Sequence, residues 1–120
     1  MLARHRSSDE MTSLGRSLSE LLHEGTTLKD ALRLLATVAR TEEMRQWLQE
    51  ATKEAAEGRP LSAAMEKGQH LFSPLWIRAI QAAELRDEVP AALRRLSRGE
   101  SEKRWRQQHV RRAAVVPAVM

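Results

Sequence analysis

Short apolar stripes, each cut off by a helix breaker, constrain this chain more than any other feature. Met11, Leu14, Leu18, Leu21 and Leu22 recur at the three- and four-residue spacing that puts side chains on one face of a helix. Ser7-Ser8-Asp9-Glu10 has capping-box spacing and Gly25 supplies a stop, so a first helix of about 15 residues fits between them. Thr27-Leu28-Lys29-Asp30 repeats the capping logic. It opens a second helix through about Ala39, with Leu28, Ala31, Leu32, Leu35 and Val38 on the buried side. The one or two residues at Gly25-Thr26 leave room only for an antiparallel hairpin. Thr41 caps a third helix to Glu57, with Met44, Trp47, Leu48, Ala51 and Ala55 inward and Gly58 as its stop. Pro60 starts a short fourth helix ending at Gly68. Ser73-Pro74 opens a fifth, with Trp76, Ile77, Ile80 and Ala83 inside. After a polar break at Arg86-Asp87-Glu88, Pro90 leads a last helix that buries Leu93 and Leu96, with Ala92 beside them.

This pattern predicts an all-α fold: a compact bundle of six short antiparallel helices, the last extended towards a membrane span. With 5 glycines and 4 prolines in 120 residues, composition agrees. The absence of cysteine excludes disulfides and thiolate metal sites. No apolar stretch follows the charged Met1 to Asp9 segment as a signal peptide requires, and no run of 18 apolar residues is present. The chain divides into a flexible N-terminus (1–8), the helical bundle (9–97), a basic helical extension of the last helix (98–112) and the start of a truncated transmembrane segment (113–120).

Charge sharpens the last two divisions. The net charge is +4, yet residues 1–97 carry 14 Lys and Arg against 14 Asp and Glu. The excess belongs to residues 98–120, where Arg98, Lys103, Arg104, Arg106, Arg111 and Arg112 face only Glu100 and Glu102. From Ser97 to His109 the only large apolar residue is Trp105, so a helix there has no face to bury. It runs into Ala113 to Met120, which is apolar to its last residue. A cationic stalk followed by an apolar run is the pattern of the cytoplasmic flank of a membrane helix. The alternative is a free-standing nucleic-acid-binding protein using the Arg98 to Arg112 helix, which gives the apolar end no task.

Candidate chemistry is sparse. Histidines at 5, 23, 70 and 109 lack the i, i+4 pairing of a zinc-protease helix, and Glu20-x-x-His23 is half of a di-iron motif without its other ligands. Glu84, Asp87 and Glu88 form an acidic cluster; as cation ligands Glu84 and Asp87 are weak candidates beside a solvated turn. The hydroxyls fall at cap positions, with no serine elbow and no phosphate loop. No enzyme, metal or cofactor is expected. Trp47 and Trp76 lie on apolar faces and are expected in the core, as are Leu32 and Leu48.

Read in order, Gly25, Gly58-Arg59-Pro60-Leu61-Ser62, Leu71-Phe72-Ser73-Pro74-Leu75, Ala83-Glu84 and Val116-Pro117 resemble the cytoplasmic domain of the type II secretion F-protein family. These are inner-membrane platform proteins of type II secretion and type IV pilus machines. The resemblance runs from about Leu14 to Pro117 and lies in the order of its elements: a first helix closed by glycine, Gly-x-x-Leu-Ser, a Phe-Pro-Pro-like turn, a Gly-Glu-x-x-Gly turn, and a basic helix meeting the first span. Gly25, Gly58, Leu61, Phe72, Pro74, Glu84 and Pro117 carry it. At the Gly-Glu-x-x-Gly turn the chain departs, with Ala83 for the first glycine and Asp87 for the second. If that turn uses positive φ, aspartate can still adopt it. The resemblance implies a scaffold of a bacterial inner-membrane protein, this segment on the cytoplasmic side. Its implied partners are the assembly ATPase, other platform subunits, a second copy of itself as a homodimer, and the membrane beyond Met120; no nucleic acid is expected. It further implies the first of two such domains.

Overall fold

In a computed structural model the chain is described over residues 2–99, with side chains from Asp9 onward. Six helices follow in order: α1 (Leu2–His23), α2 (Leu28–Thr37), α3 (Glu42–Ala56), α4 (Leu61–Lys67), α5 (Pro74–Leu85) and α6 (Val89–Ser97), and no strand occurs among the described residues. The all-α bundle of six helices is thus the observed fold.

Local signals set the helix ends. Thr27, Thr41 and Ser73 each accept the backbone N–H three residues on, from Asp30, Met44 and Trp76. Each bond satisfies one donor that the first helical turn leaves free. Pro74 stands at the start of α5, where its missing N–H costs nothing. Two stops share one geometry. Thr26 N–H donates to Leu21 O and Gly25 N–H to Leu22 O; Arg59 N–H donates to Glu54 O and Gly58 N–H to Ala55 O. These are Schellman closures, which put the glycine at positive φ: +100° at Gly25 and +81° at Gly58.

Each helix packs on the next in sequence, and α1 closes the circuit against α6. The core includes Leu18, Leu32, Leu48, Met65 and Ile80, all essentially sealed from solvent. Trp47 and Trp76 are buried, as their apolar faces require. So are Leu61, Phe72, Ala83, Ala92, Leu93 and Leu96. Two close approaches lock the bundle. At Gly68 an added Cβ would lie 2.6 Å from Trp47 Cδ1, and at Gly15 it would lie 2.7 Å from Trp76 Cη2. Both tryptophans therefore lean on a backbone with no side chain in the way.

Three expectations need correction. First, α1 starts at Leu2, so Ser7 to Glu10 lie inside the helix rather than at its cap. Nothing between Leu2 and Glu10 is a strong helix breaker, and the capping signature is simply passed through. Second, Val38 is 70% exposed. Helix α2 ends at Thr37, Val38 is its C-cap at φ −114°, and the side chain leaves the stripe that Leu28, Ala31, Leu32 and Leu35 define. Third, α6 ends at Ser97, and Gly99 stands at φ +70°, so the last helix does not continue unbroken through this position. The rest of the expected extension lies outside the described residues. No described helix is long and apolar enough to cross a membrane.

Candidate functional site

The motif residues converge where α4 begins and α5 ends. Gly58 turns the chain out of α3, Leu61 opens α4 from a buried position, and Ser62 follows. Pro60 caps α4 without offering a side-chain acceptor. The acceptor comes from α5: one oxygen of the Glu84 carboxylate accepts the Ser62 backbone N–H at 3.0 Å, and the other accepts the Ser62 hydroxyl. A negative group at this position also suits the positive end of the α4 peptide dipoles. Glu84 is thus a helix cap supplied from a neighbouring helix. Ser62 was not among the expected site residues, although it stands in the same motif as Leu61.

The cation reading of Glu84 and Asp87 gains no partner from this arrangement. Both Glu84 oxygens serve Ser62, and no group of three His, Cys, Asp or Glu gathers for a metal among the described residues. Asp87 has a different task. It stands at φ +57°, the only non-glycine residue at positive φ among those described. Glu88 N–H donates to Ala83 O and Asp87 N–H to Glu84 O, the same closure as at Gly25 and Gly58. Aspartate replaces glycine in the sequence but not in the backbone geometry.

The Phe-Ser-Pro element builds the opposite end of α5. Phe72 is buried and meets Trp47 with ring centroids 4.5 Å apart at 57°, a tilted contact favoured by aromatic quadrupoles. Trp47 also donates its indole N–H to Ala64 O at 2.8 Å. Three elements, α3, α4 and the loop before α5, are tied through this one side chain.

Charged groups are distributed unevenly over the surface. Every ion pair given between described residues involves α2, α3, α4 or the turns beside them. Its centre is the buried carboxylate of Glu54, which takes Lys67 Nζ at 2.8 Å and Arg59 Nη1 at 3.5 Å. Helix α6 is the opposite case. Ala92, Leu93, Leu96 and Ser97 face the core, and the outward positions are Ala91, Arg94, Arg95 and, at the C-cap, Arg98. Arg94 and Arg95 have no ion pair among the described residues. Lys103, Arg104, Arg106, Arg111, Arg112 and Pro117 lie outside the described residues, as does Trp105.

With this geometry in place, comparison with known families is decisive. The family described as type II secretion system (T2SS), protein F, matches residues 15–120. The chain belongs to this family. No curated protein matches it. The T2SS protein F family is one of structural platform proteins, generally associated with the inner membrane. In this member the family-like Gly58, Leu61, Phe72, Pro74 and Glu84 hold helix ends and core contacts in place.

Proposed function

We propose that this chain is a cytoplasmic interaction domain of an inner-membrane platform protein, scaffolding contacts with the assembly ATPase and other platform subunits of a type II secretion or type IV pilus machine. Family membership over residues 15–120 is the observation that carries this reading. The architecture supports it: the motif residues serve as caps and packing groups, which suits a domain that presents a rigid surface. The domain acts by docking, without bond chemistry of its own. Its location is the cytoplasmic side of the inner membrane, with the chain leading into the bilayer beyond the basic 98–112 stretch. The test is affinity capture with the chain as bait and the cognate assembly ATPase and platform subunits as prey. Retention of at least one in a saturable manner is expected. Failure to retain any of them, together with a gel shift on nucleic acid at low salt, would replace this reading with the nucleic-acid one.

A further inference from the structure

We infer that the outer face of α6, formed by Ala91, Arg94, Arg95 and Arg98, lies against an anionic lipid surface. This rests on the proposed membrane-platform role. Three observations carry it. Beyond Ala91 every outward position of α6 is arginine, and the helix itself contains no acid; the carboxylates of Asp87 and Glu88 border this face only at its N-terminal end, beside Ala91 and Arg94. Arg94 and Arg95 have no ion pair among the described residues, whereas on α3 and α4 the cations Arg45, Lys53 and Lys67 are each paired.

The third observation is Gly99. Its φ of +70° lies in the left-handed region and ends the α6 geometry just after Ser97. A coaxial stalk would hold α6 end-on to the bilayer, with its arginines strung out along the normal and mostly beyond the reach of surface charge. A break in the helix at Gly99 leaves α6 free to lie with its side towards the headgroups. Guanidinium groups suit this contact, because they bind phosphate through paired N–H donors.

The chain has no cysteine, so one can be placed at will. The full 120-residue chain would carry an environment-sensitive fluorophore at Ala91→Cys, or at Gln49→Cys on the exposed side of α3. Vesicles of phosphatidylcholine, with or without phosphatidylglycerol, would carry a nitroxide headgroup quencher. Quenching at position 91 but not at 49, only when phosphatidylglycerol is present, is expected. Arg94→Gln combined with Arg95→Gln should weaken vesicle binding by about tenfold or more, each surface arginine being worth about fivefold on an anionic membrane. Arg33→Gln with Arg45→Gln removes the same charge from α2 and α3 and should change binding less than about twofold.

No vesicle binding, equal quenching at both positions, or no effect of the α6 pair overturns the assignment. Protection of position 91 by a captured protein instead of by lipid also overturns it, in favour of an acidic protein segment. If the lipid assignment fails while capture of the ATPase or platform subunits persists, the proposed function stands alone. Loss of all capture with quenching intact would sink the platform role and leave only a lipid-binding domain.

Discussion

The α3–α4 hairpin and the α5–α6 hairpin solve the same problem with different residues. Both close by a Schellman turn, but Gly58 makes the first and Asp87 the second. Each begins with a helix whose tryptophan rests on a glycine, Trp47 on Gly68 and Trp76 on Gly15. Glycine Gly68 is close in sequence, just after α4, whereas Gly15 comes from distant α1. The surface of the first is knitted by ion pairs around Glu54, while the outer face of the second keeps Arg94 and Arg95 without any among the described residues. The first hairpin takes the stabilising option at each step. The second accepts a less favourable backbone at Asp87 and leaves Arg94 and Arg95 without an ion pair among the described residues, a small cost because exposed pairs add little to stability.

The comparison can be broken most forcefully in the core. Leu48→Ala in α3 and Ile80→Ala in α5 should each cost about 2–5 kcal/mol, because both side chains are sealed and leave cavities. A single thermal transition should shift in both variants. Separate transitions would mean that the hairpins fold independently. Leu32→Ala in α2 belongs to the same class.

Next come the two glycines under the tryptophans. Gly68→Ala and Gly15→Ala each force a methyl against an indole ring, at an expected cost of about 1–3 kcal/mol in denaturant melts. A neutral result at Gly68 would show that Trp47 can shift without losing its bond to Ala64.

The turns sharpen the contrast because opposite signs are expected. Gly58→Ala places a side chain at positive φ and should destabilise by about 1–2 kcal/mol. Asp87→Gly removes one from the same conformation and should stabilise by about 0.5–1 kcal/mol. A loss on Asp87→Gly would mean that the aspartate side chain contributes something beyond filling the turn. Between these in size, Glu84→Ala should cost about 1 kcal/mol through the lost cap on α4, with Glu84→Gln milder because an amide oxygen still accepts.

The smallest effect belongs to the basic face. Arg94→Gln with Arg95→Gln should leave the melting temperature nearly unchanged, within about 0.5 kcal/mol, since both side chains are exposed and break no ion pair. A large destabilisation would identify these arginines as structural and remove the contrast between the hairpins.

Most helix positions were legible in the sequence for a local reason. A hydroxyl at Thr27, Thr41 or Ser73 reaches an N–H three residues away, and Gly25 and Gly58 stop helices through their own φ. Such signals need no knowledge of the rest of the chain. They fail where a neighbourhood outweighs them: helix-forming residues carry α1 through the Ser7 to Glu10 signature, and the end of α2 turns Val38 out of its stripe. Of the candidate site, the family-like residues could be named in advance, but the bond that joins Ser62 to Glu84 could not, because 22 positions separate them.

The sequence by itself therefore determined the helices, their order, the buried stripes and the balance of charge over residues 1–97. Only the tertiary structure decided which helix lends a cap to α4, which backbones admit the two indole rings, and which carboxylates and cations meet, as around Glu54, while Arg94 and Arg95 have no ion pair among the described residues. The physical reason is distance. Caps, turns and stripes act within about four residues along the chain, whereas a Coulomb pair or a close-packed ring depends on which faces the fold brings within a few ångströms.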